Sequence, residues 1–119
     1  MSIELLNKPE SNTPLSLRFL MDCVKVQRER GAEYENKDQV ERSFAKAATA
    51  FNAITGHNLK PCEVALLLQV LKDVRQWADM DRVHWDSLLD KVSYASLTSE
   101  QVVLDIHGPD AVYKIGGES

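Results

Sequence analysis

Apolar residues recur along this chain at intervals of three and four, the spacing of helices that each bury one face. The first such segment opens with Thr13 as N-cap and Pro14 at the first helical position. It continues through Leu17, Phe19/Leu20 and Val24, and is expected to close at Gly31. The second runs from Asp38 to Thr55, with Val40, Phe44, Ala47, Ala48, Phe51 and Ile54 in phase and Gly56 as the stop. The third runs from Pro61 to about Ala78. Val64, Leu67, Leu68, Leu71 and Val74 make one face and Leu66, Val70 and Trp77 a second, so this helix is expected to be central. The fourth starts near Val83 or His84 and carries Trp85, Leu88, Leu89 and Val92. Thr98 to Gln101 reads as a capping box, so Ser99 to His107 is either a fifth helix or a continuation.

The pattern therefore predicts an all-α fold, a compact bundle of four to five helices over residues 13–107. A flexible arm is expected over residues 1–12 and a flexible tail over 108–119. The predicted core is Phe44, Ala48, Phe51, Val64, Leu67, Leu68, Leu71, Val74, Trp85, Leu88, Leu89 and Val92. Leu66, Val70 and Trp77 offer more apolar surface than one small bundle needs to cover, so self-association into a homo-oligomer is expected.

Length and composition narrow the classes. A chain of 119 residues holds one domain, and 44% hydrophobic with 27% charged residues is the balance of an ordinary globular protein. Fourteen basic against 18 acidic residues give a net charge of −4, which lacks the basic field that non-specific nucleic-acid binding needs. No apolar run is long enough to span a membrane, and residues 1–13 have no signal design, so the expected location is the cytoplasm. Cys23 and Cys62 have no metal-ligand spacing and read as two small buried thiols in a reducing compartment.

Chemistry is best sought where charge interrupts the apolar pattern. Lys72 and Arg75 lie three apart on the third helix and point two cations to one side. Asp86 and Asp90 lie four apart on the fourth and share a face. Asp86 falls in the first turn, where the helix dipole favours a carboxylate. His84 sits just upstream, with Tyr94 one turn beyond Asp90. Two readings stand. In the first, the third and fourth helices share a ligand pocket: Lys72 and Arg75 hold phosphate oxygens, and Asp86 and Asp90 hold Mg²⁺ or orient Arg75 and a ribose or base. In the second, Arg75–Asp90 and Lys72–Asp86 are salt bridges that lock the helices in register. Tyr34 is a candidate to reach over the pocket and stack on a base. Glu63 reads as a helix-start charge, His57 as a solvated loop residue, and Trp77 and Trp85 as core. No Gly-rich phosphate loop and no Ser-His-Asp or Cys-His spacing is present.

One resemblance rests on four pieces of sequence. They are Arg28 followed by Ala32-Glu33-Tyr34, the Phe44-containing helix, Val64-Ala65-Leu66-Leu67-Leu68 leading to Lys72 and Arg75, and His84-Trp85-Asp86-Ser87-Leu88-Leu89-Asp90 leading to Tyr94-Ala95. Together these span Arg28 to Leu97, roughly 70 residues on the scale of one domain, and the stretch resembles a family of small, uncharacterised bacteriophage and prophage proteins. That family usually has a glycine after the tyrosine, where this chain has Glu35. Its fourth-helix pattern in turn is similar to the last helix of MazG-type all-α nucleoside triphosphate pyrophosphohydrolases. Those enzymes hold Mg²⁺ with carboxylates of two helices and attack the nucleotide with water. The resemblance implies that Asp86 and Asp90 stand where a metal-binding, catalytic acid pair belongs. The partner helix should carry a glutamate cluster, whereas the second helix here has only Glu41 and the third has Lys72 and Arg75.

The expectation is a phage-encoded protein, acting in the host cytoplasm, that binds a nucleotide or another phosphorylated small molecule at Lys72, Arg75, Asp86 and Asp90. It would process that ligand with Mg²⁺ or sequester it, for example as a signal of host defence. The alternative is a small interaction protein that inhibits a host enzyme through its surface, with the charges serving only as salt bridges.

Overall fold

The computed structural model describes residues 12–33 and 38–111, with side chains over 12–30 and 43–111. It is all-α: α1 Leu15–Glu33, α2 Asp38–Thr55, α3 Pro61–Trp77 and α4 Trp85–His107. α1 runs two residues past Gly31, the expected stop. Ser99–His107 continues α4 without a break, so four helices stand where a fifth was an option. The expected arm lies almost wholly outside the described residues, as does most of the tail; Gly108 ends α4 at the expected boundary.

The helix ends follow from local chemistry. Gly56 takes a positive φ of 76°, which glycine adopts freely, and its N–H donates to the Asn52 carbonyl at 2.8 Å. The Asn52 side chain then pins the following turn, accepting from the Leu59 amide at 2.7 Å and donating to the Leu59 carbonyl at 2.9 Å. α3 starts at Pro61, and the Lys60 amide donates to Glu63 at 2.8 Å, so Glu63 is the helix-start charge its position suggested.

α3 and α4 are the inner pair; α1 packs on α4 and α2 on α3. α3 and α4 run antiparallel, since the Cys62 amide meets Asp105 at one end and Gln76 meets His84 at the other. α1 and α4 run parallel with an offset of 66 residues: Phe19 stacks on Trp85, Cys23 donates to the Leu89 carbonyl, and Gln27 donates to Ser93. The buried apolar residues are Cys23, Phe44, Ala48, Ala65 and Leu89.

Phe44, Ala48 and Leu89 thus match the predicted core, and Val64, Leu68, Trp85, Leu88 and Val92 are half-buried. Phe51, Leu67, Leu71 and Val74 do not belong to it; Leu67 is 62% and Val74 58% exposed. Trp77, read as core, is 67% exposed. The physical reason lies in which side of α3 meets α4. That side carries Ala65, fully buried, together with Lys72 and buried Gln76. Small and hydrogen-bonded side chains allow close approach of the two helices, and the leucine-rich arc is turned outward. Among the described residues no helix is long and apolar enough to cross a membrane.

Candidate functional site

Lys72 and Asp90 meet across the inner pair. The Lys72 ammonium lies 3.2 Å from the Asp90 carboxylate, with their side chains 15% and 25% exposed. One residue further along each helix, Lys91 pairs with Asp73 at 2.8 Å in a more open setting. The register is therefore Lys72–Asp90 and Asp73–Lys91, not the expected Arg75–Asp90 and Lys72–Asp86. Arg75 and Asp86 are both exposed and form no ion pair among the described residues. Asp86 does occupy the first turn of α4, where the dipole favours it.

The thiol of Cys23, on α1, meets the backbone of α4 one residue before Asp90. It donates to the Leu89 carbonyl at 3.4 Å, and its pKa is pushed up to about 11, first by burial and then by the charges of Asp22 and Asp90. Asp22, the residue before Cys23, has its Oδ2 buried and without a hydrogen-bond partner among the described residues. Asp22 lies on an otherwise apolar stretch of α1 and was missed because nothing in its spacing marks it as half-buried. The Asp73–Lys91 pair was also missed: antiparallel alignment of Lys72-Asp73 with Asp90-Lys91 would set like charges opposite each other, so the spacing gave no signal for it.

The remaining candidates divide. His84 is the residue before α4; its amide donates to Gln76 Oε1 at 2.7 Å, and its Nε2 is buried without a hydrogen-bond partner among the described residues. Tyr94 is half-buried on α4, and its carbonyl accepts the Thr98 hydroxyl. Tyr34 lies outside the described residues. His57, expected in solvent, is exposed and stacks on Phe51.

Depressions lie elsewhere among the described residues. One of about 400 Å³ lies between the start of α3 and the end of α4, lined by Lys60, Pro61, Cys62, Val102, Asp105 and Ile106. Another, about 360 Å³, lies along the small residues of α2, Ala45 to Ala53. Neither is lined by Lys72, Arg75, Asp86 or Asp90. Among the described residues no group of three or more His, Cys, Asp or Glu side chains is arranged to hold a metal. Asp86 and Asp90 are two carboxylates, one of them already held in an ion pair by Lys72, so Mg²⁺ here would draw most of its six oxygen ligands from water and a ligand's phosphates. No hydrolytic step follows from that donor set.

The profile of the family described as "Domain of unknown function (DUF6378)" matches residues 17–102, most of the chain, and the chain belongs to that family. No curated protein and no solved structure matches the chain.

Proposed function

For this DUF6378-family protein, we propose binding of a phosphorylated small molecule, a nucleotide foremost, along the α3–α4 seam. The reading also takes it as phage-encoded, on the resemblance noted in the sequence, with the ligand metabolised or withdrawn from the host. The observation that supports binding is the pairing of a partly buried cation, Lys72, with Asp90, one turn from an exposed arginine that has no ion pair among the described residues. A phosphate entering here meets Lys72 as a point charge already held in place and Arg75 as a planar donor fork. Asp90 acts on Lys72, fixing the ammonium where the phosphate arrives, and Asp86 and Tyr94 flank on the same helix.

The test is thermal melting of the full chain with a panel of nucleotides, with and without Mg²⁺. A ligand at 100 times its Kd stabilises by about 2.7 kcal/mol, a shift of several degrees for a domain of this size. Arg75→Ala is expected to reduce that shift while leaving the ligand-free melt in place, because Arg75 is exposed. If no nucleotide or inorganic phosphate moves the melt, this reading fails.

A second reading has its own observation. Lys72–Asp90 and Asp73–Lys91 already serve as clasps between α3 and α4, and large apolar side chains of α1 and α3 stand in solvent. These features suit a small interaction protein that works through its surface. It predicts that Arg75→Ala and Asp86→Asn leave function intact, and that a host protein co-purifies in stoichiometric amount.

A further inference from the structure

The central helix of this fold is turned inside out relative to its own sequence. Taken at about 100° per residue, Leu66, Trp77, Val70, Val74, Leu67 and Leu71 occupy in that order one arc of about 140° on α3. All six are at least 40% exposed. Within residues 66–77 no charged residue falls on the arc; Glu63 lies on the same face at its N-terminal end, accepting from the Lys60 amide, Asp73 marks one edge, and Arg75 lies beyond Leu71 at the other. The opposite side of the same helix, with Ala65, Lys72 and Gln76, is the one that meets α4.

We infer that this arc is covered by a second copy of the chain, α3 against α3 about a two-fold axis. The area argues for it. With ordinary side-chain areas, the six exposures amount to on the order of 600 Å² of apolar surface per chain. A standard interface takes about 800 Å² per partner, and about 65% of a homodimer interface is apolar, which asks for about 520 Å². The chemistry of the arc points the same way. A stripe whose one charge, Glu63, sits at its end is complementary to itself along the uncharged remainder, whereas docking to a charged partner needs matching charges inside the stripe. Leaving such a surface in water on a 17-residue helix is unfavourable for a lone domain. The sequence placed the surplus on Leu66, Val70 and Trp77; the structure adds Leu67, Leu71 and Val74, predicted to be core.

The inference stands apart from the ligand reading and is tested without ligand. Sedimentation equilibrium of the full chain at micromolar concentration is expected to give twice the 13.4 kDa chain mass. Leu67→Glu and Val74→Lys, made separately, are each expected to shift the chain to monomer with its helical circular dichroism retained. Lys46→Glu, exposed on α2, is expected to leave the dimer unchanged. Wild-type chain that stays monomeric at about 100 µM overturns the inference, since a standard-size homodimer interface is expected to hold well below that concentration. So does a Leu67→Glu or Val74→Lys chain that remains a folded dimer. A purified monomer that gains mass only with a different protein also overturns it, in favour of a foreign partner.

Discussion

Cys23 and Cys62 differ in more than their position along the chain. Cys23 is buried and keeps its proton, its pKa pushed up to about 11 first by burial and then by the charges of Asp22 and Asp90, while half-buried Cys62 is raised by burial and then by its contact with Asp105. A thiol reagent at pH 7.5 is therefore expected to modify one cysteine per native chain, Cys62, and both after denaturation. Two fast-reacting thiols in the native protein would contradict this. The raised group also fixes a sign. An unfolded thiol ionises near pH 9 and the folded one near 11, so Cys23 costs no stability below pH 9 and progressively more as pH rises through that window.

Asp105 shows the opposite sign. Burial alone would raise its pKa, but hydrogen bonds from Gln101, the Cys62 amide and the Cys62 side chain outweigh this and hold the carboxyl below its usual value of 3.8. Its contribution is present above pH 3.8 and lost as pH falls through the lower, folded value. Because Asp105 accepts from the first turn of α3, it acts as an N-cap supplied by another helix. Asp105→Ala is expected to cost about 1 kcal/mol at pH 7, with the gap to wild type closing as the pH is taken below 4 in denaturant titrations. The candidate site belongs to the same scale. That Lys72 would pair with an aspartate of α4 was legible, whereas the expected Arg75–Asp90 pair does not form and the Asp73–Lys91 pair was not foreseen. Which aspartate Lys72 met was not legible, because a shift of one helical turn in antiparallel register exchanges Asp86 for Asp90 and is invisible to spacing.

The extents of the elements were readable because their stops are chemical. Asp38–Thr55 and Pro61–Trp77 end where Gly56, Pro61 and the polar run after Trp77 require it. What the periodicity did not show is that Gln76 organises the connection between α3 and α4. Buried between them, it accepts from the His84 amide at 2.7 Å and donates to the Arg82 carbonyl at 2.9 Å. A glutamine near the end of a helix that also carries Lys72, Asp73 and Arg75 gives no signal of this in sequence, since the groups it bonds to include backbone atoms of a loop. Gln76→Ala leaves both buried groups without a partner, so a loss of about 1–3 kcal/mol is expected. Hydrogen exchange is expected to rise first in residues 78–84; uniform protection with unchanged stability would rule out this role.

At the scale of the molecule, the helices lie with α3 and α4 inside and α1 and α2 on the flanks, and neither inner helix is enclosed. Leu17, Leu20, Met21 and Val24 make an exposed stripe on α1 as well, the side opposite Phe19 and Cys23. If α3 pairs with a second copy, folding is linked to association, and the melting temperature should rise with protein concentration. A melt independent of concentration from about 1 to 100 µM would argue that the monomer is the stable unit.

Helix type and most helix limits came from local rules: periodicity, caps and breakers act within a few residues and need no knowledge of the fold, although they left a fifth helix open and set the end of α1 two residues early. The direction each apolar face takes came only from tertiary structure. An amphipathic stripe reports that a surface is to be buried, and the free energy of burial is the same against a neighbouring helix or another chain. On α3 that choice was made by packing: small Ala65 and the hydrogen-bonded side chains of Lys72 and Gln76 bring α4 close, and the leucine face is left outward.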